Sequence, residues 1–242
     1  MAKDVENIMV DNSLYILTAL NPETTNGAII QLTQWIEKMP FVKKGDMFFK
    51  STKIATASDS TLKMITAKEV PTTIYTPYDE MPEHIPVLNV YLNSPGGGTA
   101  LMKSILSMFN IASAKGAIIR TYNIGRANSC ASMIAVSGTR GYRYMSENAQ
   151  NFIHWGESRP VVNHPDEVEY AKKDLDNEIG LTSDIYLNNS NLTKEELSQF
   201  YNIEGSGRLF ADQCLEKGLC DWVVTNDGRY VNKVSELKSK QR

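Results

Sequence analysis

The sequence has 242 residues, enough for one large domain, and its formal charge of −3 with 22% charged residues gives no basic surface that would favour a nucleic-acid partner. No stretch approaches the roughly 18 consecutive apolar residues of a membrane span, and the acidic N-terminus lacks the features of a signal peptide. Three cysteines without a CxxC pair favour a reducing compartment, so we expect a cytoplasmic protein.

The first third of the chain predicts a strand, a helix and then an irregular segment. Residues 13–20 form a β-rich apolar run, and Asn21 is a natural N-cap for a helix over 22–37. Ser, Thr and Pro crowd residues 38–84. We interpret 38–84 as an insertion of short strands and loops within a single domain spanning 1–242.

The rest of the chain alternates strands and helices. A β run at 87–93 ends in Ser-Pro-Gly-Gly-Gly, and a helix with one apolar face follows it. Further strands are predicted at 116–124, 141–145, 148–155 and 222–226, and further helices at 165–188, 193–201 and 211–218. This alternation predicts an α/β fold with a largely parallel sheet. We expect the last dozen residues to form a loose tail.

The glycine run after the strand at 87–93 is the first candidate for chemistry. Consecutive backbone N–H groups between a strand and a helix can bind a phosphate or stabilise an oxyanion. A tight turn that needs positive φ explains the same run equally well. No Gly-Lys-Ser/Thr triplet follows, so the run is not a nucleotide-binding loop of the Walker type.

The stretch "NIGRANSCASMIAVSG", residues 123–138, is the second candidate. Gly125 precedes Ser129 where a strand turns into a helix, a geometry that presents a hydroxyl, although close helix packing also favours such small residues. His154 ends an apolar run twenty-five residues after Ser129, so a second strand could bring it back over the start of the helix. No His, Cys, Asp or Glu cluster has metal-ligand spacing, so we expect no metal and no cofactor.

Four segments taken together resemble the proteolytic subunit of the Clp protease. "NSPGGG", "GRANSCASM", "FIHW" and "GRLFADQCLEKGLCD" occur in that family's order and near its spacing, and the second is most similar to Clp-type peptidases of phages. The resemblance runs from about residue 13 to 224. It implies the Clp protease and crotonase-like fold, an α/β fold with a protruding strand–helix handle, here residues 155–188.

The resemblance implies a serine endopeptidase. The family's Gly-x-Ala-x-Ser pattern selects Ser129 as nucleophile, four residues after Gly125, and leaves Ser132 as packing. His154 matches the general base. The backbone amides of Gly97 and Cys130 match the oxyanion hole.

The third member of the catalytic triad departs from the family. Ser206 stands where the Clp subunit has an aspartate, and Glu204 lies two residues earlier in a turn that could tolerate the shift. Glu204 is therefore our candidate for the carboxylate that orients His154. A Ser–His dyad without a carboxylate is the alternative.

The resemblance also implies an assembly and its partners. Family members form two stacked heptameric rings that enclose the active sites, act on peptides or unfolded proteins, and can work with an ATPase unfoldase. Of two tyrosines in the family's ATPase docking pocket, Tyr91 matches and Asn89 replaces the other. The main alternative function is a catalytically silent paralogue that serves assembly or regulation, and a crotonase-like acyl-CoA enzyme is a third reading.

Overall fold

The computed structural model describes residues 6–39, 49–50, 70–71, 77, 85–154, 167–202 and 207–238. The strands are β1 (Ile8–Val10), β2 (Ser13–Ile16), β3 (Phe49–Lys50), β4 (Val70–Pro71), β5 (Val87–Ser94), β6 (Ile118–Asn128), β7 (Arg143–Ser146), β8 (Gln150–Phe152), β9 (Arg208–Phe210), β10 (Trp222–Val224) and β11 (Tyr230–Val231). The helices are α1 (Pro22–Lys38), α2 (Thr99–Ala114), α3 (Cys130–Val136), α4 (Glu167–Asn189), α5 (Lys194–Asn202), α6 (Ala211–Glu216) and α7 (Val234–Lys238).

The main sheet is mixed, with a parallel centre. Its strand order is β1-β2-β5-β6-β7-β10-β11, and β8 pairs with both β6 and β9. The pairs β2–β5, β5–β6, β6–β7, β6–β8 and β7–β10 are parallel, whereas β1–β2, β8–β9 and β10–β11 are antiparallel. The predicted α/β fold with a largely parallel sheet is confirmed. Strands β3 and β4 form a separate two-stranded pair.

Helix α1 forms where the sequence predicts it, because its first turn is capped. The Asn21 side chain accepts a hydrogen bond from the Thr24 amide at 2.9 Å, which satisfies one of the free donors at a helix start. Ala28, Leu32 and Ile36 are buried at helical spacing. This face packs into the main core together with α2, α3 and one face of the central strands.

Helix α3 lies at the centre of that core. All seven of its residues are buried, and it contacts β5, β6, α2 and α4. Small residues such as Ala131 and Ser132 allow these neighbours to approach closely. The packing explanation for the small-residue stretch is therefore correct for α3 itself, whichever role Ser129 has.

Strand β6 pairs with two different strands along its length. Thr121 to Asn123 pair with β7, and Arg126 to Asn128 pair with β8. Between these two groups the register against β5 shifts, which is a β-bulge. Gly125 lies in the shifted stretch, where a Cβ atom would come within 2.7 Å of the Asn93 side-chain oxygen. The bulge allows one strand to carry β7 at its start and β8 at its end.

The opposite face of the sheet carries a row of aromatic rings in register. The rings of Tyr15 and Tyr91 stack with centroids 5.1 Å apart, Tyr91 and Tyr122 at 4.8 Å, and Tyr122 and Tyr144 at 4.7 Å. Trp222 is in register with Tyr144 on the next strand. We call these five residues the tyrosine row. Tyr15, Tyr91 and Tyr122 are half-buried, so one side of the row is open to solvent.

The expectation of a loose C-terminal tail is wrong. Val231 pairs with Val223 in the β10–β11 hairpin and is 1% exposed, and Leu237 of α7 packs against the main core. These two apolar side chains anchor a segment whose other residues are mostly polar. Because most residues of this segment are polar, its sequence pattern does not indicate that two apolar side chains are buried. Strand β2 lies within the strand predicted at residues 13–20, whereas β1 and β9 are additions to the predicted elements.

The structure describes only parts of two predicted segments, the insertion and the handle. Of the insertion 38–84, the structure describes residues 38–39, the pair β3–β4 and residue 77. Of the handle 155–188, it describes α4, and the predicted long helix is confirmed there. Among the helices in the described ranges, none combines the length and apolar character that a membrane crossing needs.

A buried ion pair joins β7 to the loop before β10. Arg143, with a side chain 3% exposed, meets Asp221 through two nitrogens, Nε at 2.8 Å and Nη2 at 2.6 Å. The Asp221 carboxylate also accepts from the amides of Gly141 and Arg143. The remaining guanidinium donor bonds to carbonyls of Val136 and Asn189, which ties the ends of α3 and α4 to the sheet.

We expect Asp221→Asn to lower the free energy of unfolding by about 3 kcal/mol, because it leaves a buried guanidinium without its counter-charge. Urea unfolding followed by circular dichroism measures the change. The matched control is Arg229→Gln, which breaks the exposed pair Arg229–Asp227 and should cost less than about 1 kcal/mol. Equal effects of the two substitutions would contradict the structural role of Asp221.

Candidate active site

Three parallel strands deliver the predicted site residues to one edge of the sheet. The glycine run follows β5, Ser129 follows β6, and His154 lies two residues after β8. Because β5, β6 and β8 are parallel, their carboxyl ends meet at the same edge, where α/β proteins bind ligands. The tertiary structure thus brings together segments that lie far apart in the sequence.

Ser129 occupies a sharp strand-to-helix turn. Its φ of 54° and ψ of −126° are rare for a residue other than glycine and cost about 1–3 kcal/mol. The Ser129 amide donates to the Phe152 carbonyl at 2.8 Å, and the Ser129 carbonyl accepts from the amides of Ser132 and Met133. These bonds hold the strained turn on both sides. The half-buried Ser129 side chain lies at the start of α3.

The glycine run is clamped to Leu20. The Leu20 amide donates to the Gly96 carbonyl at 2.8 Å, and the Gly98 amide donates to the Leu20 carbonyl at 2.7 Å. Because Leu20 bonds to the residues on either side of Gly97, the peptide groups of Gly97 itself point away from Leu20. The Gly97 carbonyl accepts a hydrogen bond from the Cys130 thiol at the start of α3, at 3.0 Å.

Gly96 and Gly97 permit close approaches that no other residue would. Their φ values are +94° and +142°. A Cβ atom on Gly96 would lie 2.5 Å from the Asn128 carbonyl oxygen and 2.7 Å from the Ser129 Cβ, and one on Gly97 would lie 2.4 Å from the Leu20 carbonyl oxygen. The run therefore sets the distance between the β5 end and the Ser129 turn.

Two backbone amides at this edge remain available as donors. Within the described ranges, neither the Gly97 amide nor the Cys130 amide donates to a backbone carbonyl, and Cys130 is the first residue of α3, where no earlier carbonyl is in reach. The Cys130 thiol is buried. Burial raises its pKa, and contacts with the Gly97 backbone and the Ser129 hydroxyl offset this only partly, so the thiol stays protonated at neutral pH.

His154 stacks on a neighbour that the sequence analysis did not single out. Its imidazole lies parallel to the Phe152 ring, with centroids 4.9 Å apart and planes 10° from parallel. The Phe-x-His spacing on a strand could have revealed this contact, because residues two apart share a face. No hydrogen bond joins the described side chains of Ser129 and His154. Their backbones are linked through the Ser129–Phe152 bond.

The candidates for a third triad member, Glu204 and Ser206, lie outside the described residues. The chain is described again from Gly207, whose carbonyl accepts from the Ile153 amide at 2.9 Å. A Cβ atom on Gly207 would fall 1.6 Å from the Ile153 carbonyl oxygen, so this close approach requires glycine. Gly207 therefore lies against Ile153, the residue directly before His154.

Ser132 is separated from this edge. It is fully buried, and its hydroxyl lies near that of Tyr186, which is also fully buried on α4. Burial raises the pKa of the Tyr186 hydroxyl far above its usual range. Ser132 and Ser129 thus face different surroundings although they are three residues apart.

Comparison with protein-family models matches residues 48–227 of the chain to the family described as Clp protease, which is well over half of the sequence. Among curated relatives, an ATP-dependent Clp protease proteolytic subunit of Ligilactobacillus salivarius (strain UCC118) is 26% identical over 140 residues, covering 57% of this chain and 66% of the relative. One from Lactococcus lactis subsp. lactis (strain IL1403) is 29% identical over 140 residues, covering 57% and 67%.

A third relative has a higher sequence identity over a shorter stretch of the chain. The ATP-dependent Clp protease proteolytic subunit of Leuconostoc citreum (strain KM20) is 37% identical over 67 residues, which cover 28% of this chain and 32% of the relative. In these three matches the chain spans two thirds or less of the relative's length.

We expect Gly96→Ala to destabilise the fold and displace the Ser129 turn, because the new methyl group would press on Asn128 and Ser129. Thermal unfolding should show a Tm several degrees lower. The matched control is Gly98→Ala, since Gly98 has an ordinary φ of −62° and its nearest contact would be 3.4 Å away. The proposed role of the run would be wrong if Gly96→Ala left Tm as unchanged as Gly98→Ala.

Proposed function

The chain belongs to the Clp protease family, and on that premise we propose that it is a serine endopeptidase in which Ser129, His154 and Glu204 form the catalytic triad. One observation carries the proposal. Ser129 stands in a strained strand-to-helix turn, bonded through its amide to the strand that leads to His154, and the clamped glycine run lies against it. A packing role for α3 does not need Ser129 in that turn.

The proposed mechanism is acyl transfer. The Ser129 hydroxyl oxygen attacks a peptide carbonyl while His154 accepts its proton, and the protonated His154 then gives this proton to the departing amine. The amides of Gly97 and Cys130 donate to the negative oxygen of the tetrahedral intermediate. Water, deprotonated by His154, finally hydrolyses the acyl-enzyme.

The proton transfer requires a hydrogen bond between Ser129 and His154 that this conformation lacks. In serine hydrolases such bonds are often long in the free enzyme and shorten when substrate binds. We propose that Ser129 and His154 come together in the substrate complex, since the Ser129 amide is bonded to Phe152, two residues before His154.

We propose Glu204 as the carboxylate that orients His154. Glu204 is the acidic residue two positions before Ser206, which stands at the family's aspartate position, and the chain is described again at Gly207, whose carbonyl binds the amide of Ile153 next to His154. A carboxylate near His154 would fix its tautomer and stabilise the imidazolium that forms. Ser206, or no third residue, are the alternatives.

We propose that the protein assembles into stacked heptameric rings and cleaves peptides or unfolded proteins within them. The relatives are named as subunits of ATP-dependent proteases, which supports both an assembly and an energy-using partner. Because this sequence contains no Gly-Lys-Ser/Thr triplet, ATP would be consumed by a separate ATPase. The half-open tyrosine row offers that partner an aromatic docking surface.

A catalytically silent paralogue is the second candidate function. The serine at the family's aspartate position and the lack of a Ser129–His154 hydrogen bond favour it. Reaction with a fluorophosphonate, which labels activated serines, separates the two functions. Labelling of Ser129 would support the peptidase, and absence of labelling in the assembled protein would support the paralogue.

We expect Ser129→Ala to reduce hydrolysis of a fluorogenic peptide by at least about 10³-fold and to abolish fluorophosphonate labelling, because it removes the attacking oxygen. Size-exclusion chromatography should show unchanged assembly. Ser132→Ala is the matched control and should keep most of the activity, since Ser132 lies in the core. If the two variants exchanged these phenotypes, Ser132 would be the nucleophile.

We expect Glu204→Gln to lower kcat on the order of 10²-fold or more with little change in KM, because the lost charge stabilises only the transition state. Ser206→Ala is its control and should be mild. An inactive Ser206→Ala beside an active Glu204→Gln would assign the role to the serine. Full activity in both variants would mean that the site works as a dyad.

We expect Tyr91→Ser to weaken ATPase docking without changing hydrolysis of the small peptide, since it interrupts the tyrosine row away from the site. Wild type and variant can be used to capture ATPases from lysate with a slowly hydrolysed ATP analogue, and the captured ATPase is then tested for ATP-driven degradation of casein. Tyr170→Ser is the control, because Tyr170 is 73% exposed on α4. Equal ATP-driven degradation by wild type and Tyr91→Ser would exclude the row as the docking surface.

A further inference from the structure

The imidazole of His154 rests on an aromatic platform. Phe152 and His154 lie two residues apart, so their side chains leave the chain on the same side of β8 and its continuation. Their ring planes are 10° from parallel, and the 4.9 Å between centroids fits an offset stack, the arrangement that aromatic pairs prefer. Such a stack limits the rotation of the imidazole about its side-chain bonds.

Arg208 holds the platform from the neighbouring strand. It is the β9 residue in register with Phe152, and its guanidinium carbon lies 5.2 Å from the centroid of the Phe152 ring, within the range of a cation–π contact. The same guanidinium donates to the Gln150 side-chain oxygen at 3.2 Å. Gln150 in turn donates to the Asn128 side chain at 3.4 Å. These contacts connect β9, β8 and β6 on the side that faces His154.

This network of side-chain contacts reaches residues next to both the proposed nucleophile, Ser129, and the proposed base, His154. Asn128 directly precedes Ser129, and Phe152 provides the carbonyl that binds the Ser129 amide. Within the ranges that the structure describes, the His154 imidazole makes no hydrogen bond, so its orientation there depends on Phe152. A general base must keep one nitrogen aimed at the hydroxyl, and a misplacement of about 1 Å can cost 10²-fold in rate.

We propose that Phe152 and Arg208 are positioning residues that hold the imidazole of His154 for proton transfer. The inference rests on the proposed peptidase function and adds two residues that the Ser–His–acid scheme does not contain. Neither residue accepts or donates the transferred proton. Phe152 supports the imidazole directly, and Arg208 acts by keeping the Phe152 ring in place.

The kinetic test compares Phe152→Leu, which keeps apolar bulk but removes the ring, with Phe152→Tyr, which keeps the ring. Phe152→Leu should lower kcat for a fluorogenic peptide and the rate constant of fluorophosphonate labelling by about 10–100-fold, with KM within twofold of wild type. Phe152→Tyr should restore both rates. Arg208→Ala should lower both rates less than Phe152→Leu does.

The matched control is Phe210→Leu, which removes an exposed aromatic ring from the same strand pair and should leave both rates unchanged. Wild-type rates in Phe152→Leu would overturn the proposal. So would Phe152→Tyr rates as low as those of Phe152→Leu, because the loss would then not depend on the ring.

A spectroscopic readout separates this inference from the proposed function. In protein labelled with ¹³C-histidine, the stack should shift the His154 ring protons upfield, and His154→Gln assigns the signal among the three histidines. The upfield shift should be lost in Phe152→Leu and kept in Phe152→Tyr. A wild-type protein with the shift but without hydrolysis or labelling would overturn the peptidase function and leave the stack intact. An unshifted His154 signal would overturn the stack.

Discussion

The hydrogen bond from the Ser129 amide to the Phe152 carbonyl ties together the two strands on which the site depends. It extends the parallel pairing of β6 and β8 by one step, so that the residue after one strand and the residues after the other meet at one edge of the sheet. β8 reaches that position because β6 bulges around Gly125 and changes its neighbour from β7 to β8. A regular β6 would keep one neighbour on that side, and the Ser129 turn would lack its partner.

Backbone strain at Ser129 persists because the surroundings hold it from two directions. The amide bond to β8 fixes one side of the turn, and Gly96 packs against the Ser129 Cβ from the other. Gly97 in turn is fixed by Leu20, and its carbonyl accepts from the Cys130 thiol at the start of α3. The positive φ values of Gly96 and Gly97 belong to the same close approach of the run to Leu20 and to the Ser129 turn. Glycine is required here by contact distance as much as by conformation.

The sheet separates two surfaces of different chemistry. The carboxyl edge carries Ser129, His154 and two amides that donate to no backbone carbonyl in the described part of the chain, and the tyrosine row lies across the face opposite the main core. Arg143 links the sheet to two helices, because its buried guanidinium binds Asp221 before β10 and the carbonyls at the ends of α3 and α4. In the proposed assembly, α4 belongs to the proposed handle between rings, so this ion pair would join that handle to α3, the helix that follows the proposed nucleophile Ser129.

The sequence by itself determined the fold class, the family, helix α1 with its Asn21 cap, strand β5 and the glycine run, because these depend on periodicity and on residues close together in the chain. It also indicated Ser129 and His154, which remain proposals for the catalytic pair. Only the tertiary structure decided the bulge in β6, strand β9 beside His154, and the anchoring of the C-terminus by Val231 and Leu237. The contact of Arg208 with the Phe152 ring belongs to the same group, whereas the stack of His154 on Phe152 joins residues two apart and could be expected from their spacing on a strand. The features that only the tertiary structure decided depend on pairing or packing between separate elements, and a local pattern cannot specify which other strand or side chain will supply the other half.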